Sequence, residues 1–250
     1  MAIAKTARVV GTERTSGGTC VVELETVEPL GFAGGQYIIV DSGLVLPTGK
    51  AAKRAYSILT SDADQRRFRL AVKRIPDGMV SAFMHGLAPD AVVPFSGPWG
   101  KLGPGPGPGD EASGEAGTTL VLATDTGISA ALGLVQGARM RPLLRTTVFI
   151  WLQVDDDDFL PASQVRAHLP AGVGTVRFGA LPPIGHPERI PHVRALLAAQ
   201  LVRAPDGIAR AFISGDGAVN YALLDDLIAA GIPATRDSVE SFFNMPKKSA

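Results

Sequence analysis

The sequence predicts a β + α/β architecture: an N-terminal antiparallel β-barrel domain followed by a C-terminal parallel-sheet α/β domain. Before residue 103, short β-branched runs recur between turn residues, the pattern of an antiparallel barrel or sandwich. After residue 117, near-continuous apolar runs alternate with amphipathic stretches, which reads as a parallel sheet covered by helices on both faces. Between them, Gly-Pro-Gly-Pro-Gly-Pro-Gly at 103–109 and Asp-Glu-Ala-Ser-Gly-Glu-Ala-Gly at 110–117 can neither pair as a strand nor wind as a helix. The expected boundaries are therefore 1–102 for the barrel, 103–117 for a linker and 118–250 for the α/β domain.

In the first half, strands are expected at 7–11, 20–26, 37–41, 55–60, 68–74 and 91–95, with one helix at 80–87. In the second half, strand 119–123 opens helix 128–139, strand 147–152 leads to helix 162–168, and strand 175–178 precedes helix 192–202. Strand 211–214 then leads to helix 219–230, and a last short strand is expected at 234–239. Ligands on parallel sheets bind outside the carboxyl ends of the strands, so the turns after residues 123 and 214 are the places to look.

Composition removes several classes of function. The 250 residues carry 24 basic and 24 acidic side chains, so there is no basic excess for nucleic acid or an anionic membrane surface. The single cysteine, Cys20, can form no intramolecular disulfide and cannot supply the four thiolates of an iron–sulfur cluster. No apolar run approaches the ~20 residues of a membrane span, and the N-terminus lacks the apolar core of a signal peptide, so a cytoplasmic protein is expected. His85, His168, His186 and His192 lack zinc-site spacing, and no Gly-x-Ser-x-Gly elbow is present, so neither a metal nor a serine hydrolase is predicted.

Five segments have chemical character of their own. On a strand, Arg54 and Tyr56 share one face while Ala55 and Ser57 share the other, and a guanidinium beside a phenol can hold a phosphate and cover a flat ring. Gly78, Met79, Val80 and Ser81 stand at the expected start of a helix, where free N–H groups favour an anion; the alternative is a plain capped helix. Thr126-Gly127-Ile128 follows the first parallel strand and opens a helix, the geometry that binds a dinucleotide pyrophosphate, or else a simple strand-to-helix turn. Ser214-Gly215-Asp216-Gly217 ends another strand, and its glycines allow close approach of a ligand to backbone. Near the C-terminus, Glu240, Ser241, Phe242 and Phe243 combine a carboxylate able to relay a proton with aromatic cover.

Taken in order with Phe32-Ala33-Gly34-Gly35-Gln36-Tyr37 and Gly97-Pro98-Trp99-Gly100, these segments resemble the ferredoxin–NADP reductase superfamily of flavoenzymes over nearly the whole chain. The Arg-x-Tyr-Ser segment is the most specific element. The resemblance implies that Arg54 binds flavin phosphate, that Tyr56 lies along the flavin, and that the Ser57 hydroxyl approaches flavin N5. It also places Ala55 and Gly78, Met79, Val80 and Ser81 among the flavin-binding residues. Val72 and Lys73 join them, Lys73 with Arg74 and the 97–100 turn bordering the adenylate end. Thr126, Gly127, Ile128, Gly215 and Asp216 would hold the nicotinamide nucleotide. Ser214, Glu240 and Phe242, together with Ser57, would line the site of hydride transfer.

The implied cofactor is FAD rather than FMN, reduced by NADH or NADPH. Since no cluster is encoded, electrons would pass to a separate redox protein or a small-molecule acceptor. The acidic run Asp155 to Asp158 after the second parallel strand, with no Arg or Lys between Gln153 and Gln164, favours NADH over NADPH. The chain departs from the family pattern at five positions: Asp77 and Asp125 for glycine, Ala130 and Asp216 for proline, and Ser214 for cysteine. A carboxylate beside a pyrophosphate repels it. The departures motivate an alternative, a flavin-bound electron-transfer or binding subunit that does not itself oxidise NAD(P)H.

Overall fold

The computed structural model describes residues 4–15, 18–105, 117–155, 159–204 and 207–245. Its first sheet contains β1 (Lys5–Arg14), β2 (Cys20–Glu25), β3 (Tyr37–Val45), β4 (Ala51–Ser57), β5 (Arg67–Val72) and β6 (Val92–Trp99). All pairings are antiparallel, in the order β4-β3-β6-β1-β2-β5. Ile58, just past β4, bridges Leu70 of β5, so the two edges of the sheet meet at one bridge rather than along a closing ladder. Alternate residues point inward in strands, and Val22, Leu24, Ile38, Val40, Phe68, Leu70 and Phe95 fill the interior with α1 (Met79–His85) capping one end.

The second sheet is parallel, with β7 (Thr118–Thr124), β8 (Thr147–Gln153), β9 (Thr175–Ala180), β10 (Ile208–Asp216) and β11 (Val239–Phe243) in the order β11-β10-β7-β8-β9. Its helices are α2 (Ile128–Gln136), α3 (Ala162–His168), α4 (Arg189–Arg203) and α5 (Gly217–Ala229). Separate apolar clusters lie on its two faces, one built around α2 and Trp151, the other around α4 and α5, so both faces are covered as the apolar strands require.

Several elements start or end away from expectation, β3 and β6 running on to Val45 and Trp99 and β4 spanning Ala51–Ser57 instead of 55–60, and two of the differences bear on the site. The helix expected to reach residue 139 stops at Gln136, because Gly137 turns extended and a 3₁₀ stretch, Ala138–Thr146, containing Pro142 takes over. The last strand begins at Val239 instead of 234, after a 3₁₀ turn at Arg236–Ser238. That shift brings Glu240 and Phe242 into the strand itself, with Glu240 level with Ser214 of β10.

The two domains share one seam. A Cβ on Gly34 would lie 2.4 Å from the Gly133 carbonyl oxygen and 2.8 Å from the Gly137 Cα, and one on Gly133 would lie 2.1 Å from the Ile58 carbonyl oxygen. Only glycine permits backbones this close. Around the contact, Gln136 Nε2 donates to the Leu59 carbonyl (2.9 Å), Ser61 Oγ to the Gln136 carbonyl (3.2 Å) and Ala138 N to Asp62 (2.9 Å). Val21, Leu59, Ala71 and Leu102 of the first domain pack into the α2 cluster of the second, so one core crosses the boundary.

Candidate functional site

On the barrel side the site is built on β4. Arg54 is exposed and makes no ion pair among the described residues, and Tyr56, two residues along, is half-buried against the barrel core. Burial pushes the Tyr56 phenol up to about 12, against the pull of Arg54. Ser57 is buried, and its hydroxyl has no hydrogen-bond partner among the described residues. An orphaned buried hydroxyl costs free energy unless a ligand completes it, so the strand offers a cation, a ring and a free donor in four residues.

At α1, the Ser81 hydroxyl turns back on its own helix, donating to the Gly78 carbonyl (2.9 Å) and accepting from Ile75 N (3.3 Å). What the helix start presents outward is therefore backbone, the N–H groups of Met79, Val80 and Ser81 that have no intrahelical acceptor. Asp77 has a φ of 58°, in the left-handed region, which explains why a glycine suits this position. Val72 is fully buried in the barrel core and its carbonyl accepts from His85 Nε2 (2.8 Å), so its side chain cannot border a ligand. Lys73 is half-buried at the end of β5.

On the sheet side, two turns lock together. The Ser214 hydroxyl donates to the Gly127 carbonyl (2.9 Å), and Asp216 N donates to Thr124 Oγ1 (2.8 Å). A Cβ on Gly127 would lie 2.3 Å from the Ser214 carbonyl oxygen, and Gly215 has a φ of 125° with its missing Cβ 2.2 Å from the Thr124 carbonyl. Gly127, Ile128, Ser214, Gly215 and Asp216 are all buried, leaving Thr126 as the half-exposed residue of the first turn. The serine at 214 thus spends its hydroxyl on holding the turns together.

Asp125 has a φ of 49°, and its carboxylate is buried. It does not project toward a ligand unscreened: Arg189 Nη2 donates to it, while Arg189 Nε donates to Asp216 Oδ2 at 2.7 Å. Asp216 also caps α5, its Oδ1 accepting from Ala218 N (2.9 Å) and from Asn244 Nδ2 (2.8 Å).

The two halves of the site meet at Gly100. Tyr37 is paired across β3 with Ser57 of β4 and with Trp99 of β6. A Cβ on Gly100 would lie 3.1 Å from the Tyr37 ring and 3.4 Å from Glu240 Oε2, so ring and carboxylate converge on one glycine, with Gly100 at a φ of 95°. Burial pushes the Glu240 carboxyl up from 4.5 to about 7. Burial also raises Tyr37, with Glu240 adding to it. Asn220, fully buried, donates to the Glu240 carbonyl and to Ser241 Oγ, both at 3.1 Å, and fixes this strand. Phe242 packs on the α2 cluster.

The structure thus gathers Ser57, Ser214 and Glu240 near the interdomain junction, with Tyr56 and Arg54 along the same barrel strand. Tyr37 and Arg189 belong to the arrangement although no motif assigns them a role, and Gly100, which the resemblance put at the adenylate end, lies between the Tyr37 ring and Glu240. Tyr37 and Gly100 fall within the 32–37 and 97–100 segments, whereas Arg189 carries no local signal. Of the acidic run, Asp155 is exposed, and Asp156 to Asp158 lie outside the described residues. A cavity of about 320 Å³ opens at the amino ends of β7 to β10 beside Arg145, Arg177 and Arg203, and contains none of these groups. Among the described residues no helix is long and apolar enough to cross a membrane.

Known proteins resemble this chain in sequence and in fold. Residues 7–103 match the family of oxidoreductase FAD-binding domains. The chain is similar to ferredoxin–NADP reductase B of Sorangium cellulosum, 36% identical over 99 residues, covering 39% of this chain and 36% of that protein. It is also similar to NADH-cytochrome b5 reductase 1 of Mycosarcoma maydis, 30% identical over 132 residues, covering 52% of this chain and 38% of that protein. These matches span little more than a third of either relative's length. A solved ferredoxin NADP+ reductase from Neisseria gonorrhoeae with bound FAD and NADP superposes with a TM-score of 0.69 at 16% identity, over 97% of this chain and 100% of that one. At that identity the likeness is one of fold, and it extends across both domains.

Proposed function

We propose that this chain, a protein of the ferredoxin–NADP reductase superfamily with an FAD-binding first domain, is an FAD-dependent oxidoreductase that takes electrons from a nicotinamide nucleotide and hands them to a separate redox protein or small-molecule acceptor. The observation that carries it is Ser57: a buried hydroxyl with no hydrogen-bond partner among the described residues, on the strand that also presents Arg54 and Tyr56. These residues fit FAD. When bound, FAD supplies two-electron acceptance from the nicotinamide and release of electrons singly or in pairs, chemistry no side chain offers.

The chain's own residues bind and orient. Arg54 supplies a bidentate cation for a phosphate, and the backbone N–H groups of Met79, Val80 and Ser81 add donors at the start of α1. Tyr56 lends a flat, half-buried face, and Ser57 offers a buried hydroxyl donor to the bound ring. Glu240 holds a proton on its carboxyl below about pH 7 and delivers it at the junction between Tyr37 and Ser214. Thr126, the open residue of the turn after β7, and the start of α2 receive the nucleotide, while Phe242 supports β11 against α2. NADH is the proposed donor: exposed Asp155 follows β8, and no Arg or Lys stands between Gln153 and Gln164 to receive a 2′-phosphate.

A second reading, a flavin-bound electron-transfer subunit that leaves NAD(P)H untouched, is favoured by one observation, the buried carboxylates of Asp125 and Asp216 in the nucleotide crevice. One experiment separates the two. The purified protein, loaded with FAD, is titrated anaerobically with NADH and then NADPH while its visible spectrum is followed. Bleaching by NADH supports the reductase; a yellow protein that neither nucleotide bleaches supports the second reading; a protein that retains no flavin overturns both.

A further inference from the structure

The cavity at the amino ends of β7 to β10 belongs to no motif and lies at the opposite end of the sheet from the turns after β7 and β10. Its volume, about 320 Å³, falls in the range of small-molecule pockets, roughly 300–1,000 Å³. Three cations line it: Arg145 just before β8, Arg177 in β9 and Arg203 in the last turn of α4. None of the described lining residues is acidic. Among the described residues, none of the three arginines makes an ion pair or a side-chain hydrogen bond.

Arg177 is the most telling of them. Residues level with one another in adjacent strands project to the same face of a sheet. Thr175 is level with Val148 and Arg177 with Ile150, and both partners are part of the apolar layer under α4. The strand β9 thus turns a half-buried guanidinium toward the helix-covered face, where a charge without a counter-ion is costly. Arg203 has a reason of its own, the dipole at the end of α4, but Arg177 has none. A second observation points the same way. Gln200, three residues before Arg203, is 6% exposed and lines the cavity, yet its side chain makes no hydrogen bond among the described residues. A buried amide of this kind is normally partnered, and a bound ligand would complete it. We propose that the cavity binds a compact polyanion of at least two negative charges, phosphate or carboxylate, held by Arg145, Arg177 and Arg203 and hydrogen-bonded by the Gln200 amide. Guanidinium forks grip either oxyanion through paired N–H donors. No aromatic ring is among the described lining residues, so nothing there stacks a base and the ligand is a small oxyanion rather than a nucleotide. The site goes beyond the reductase reading and does not rest on it.

The test is calorimetric titration of the FAD-loaded protein with inorganic pyrophosphate and, separately, with citrate. Excess NAD+ is present throughout, so that the phosphate seats proposed on the barrel and after β7 are filled. At least one probe should bind with one anion per chain. Arg177→Gln and Arg203→Gln should each weaken that binding by about tenfold or more, and Arg177→Lys, which keeps the charge but loses the fork, should weaken it less. Arg141→Gln, which removes an exposed arginine outside the cavity, should leave it unchanged. Binding of pyrophosphate alone assigns the site to phosphates, and binding of citrate alone to carboxylates; either supports the proposal. Absence of saturable binding of both probes at millimolar concentration overturns it, and so does binding that keeps its wild-type strength in Arg177→Gln and Arg203→Gln. Should Arg177→Gln fail to fold, Arg203→Gln decides, since it lies at the exposed end of α4. A flavin that NADH does not bleach in the same samples, with anion binding intact, overturns the reductase reading alone.

Discussion

Replacing Glu240 by glutamine probes the junction in a form that can be worked out from the structure. Burial raises the Glu240 carboxyl from 4.5 to about 7, so in the folded, flavin-free protein it keeps its proton over a range where the unfolded chain has released it. The unfolded state binds fewer protons than the native state across that range, so stability falls as pH rises. The contribution of the protonated group is fully present below about pH 4.5 and is lost as pH passes through 7. The shift corresponds to about 3 kcal/mol in total, at up to ~1.4 kcal/mol per pH unit. Glutamine mimics the neutral acid at every pH. Urea unfolding of flavin-stripped wild type and Glu240→Gln should therefore coincide near pH 4.5 and separate progressively, the variant being more stable by about 3 kcal/mol at pH 8. Two parallel stability profiles, offset by a constant amount between pH 5 and 8, would refute the argument that burial holds this carboxyl neutral.

Two further substitutions test neighbouring steps. Ser57→Ala removes a buried hydroxyl that has no partner among the described residues, so the flavin-free protein should be unchanged or more stable by about 1 kcal/mol in urea while the FAD-loaded protein loses turnover with NADH if the proposed function holds; a clear loss of stability without flavin would show that the hydroxyl is already satisfied. Gly133→Ala pits helix propensity, which favours alanine by about 1 kcal/mol, against a Cβ only 2.1 Å from the Ile58 carbonyl oxygen; the contact should win by at least ~2 kcal/mol, and a higher urea midpoint would sink the account of the seam.

What was legible in the sequence is what is locally encoded. Strand and helix rhythms report apolar periodicity, and both sheets follow it. The Arg-x-Tyr-Ser strand carries its own face alternation, and the outcome at Tyr56 and Ser57 follows from it. The misplaced ends have physical causes beyond local pattern. The run 234–239 reads as a strand, but the 3₁₀ turn at Arg236–Ser238 postpones pairing to Val239. Ala138 and Arg139 are sound helix formers, yet α2 ends at Gln136 because Gly137 lies against Gly34 of the other domain. The compensation of Asp125 was illegible for the same reason. Its partner Arg189 is 64 residues away and is brought near only by the crossover through α4. Glu240 Oε2 likewise lies against Gly100 of the other domain, a contact that no local pattern encodes.

The glycine seam has a consequence for how such proteins can be recombined. Because Gly34, Gly133 and Gly137 bring main chain against main chain, the barrel and the sheet are keyed to each other, like two halves of a mould rather than beads on a string. A chimera that transplants either half from a relative must therefore carry these glycines as a matched set with the Leu59 and Asp62 contacts.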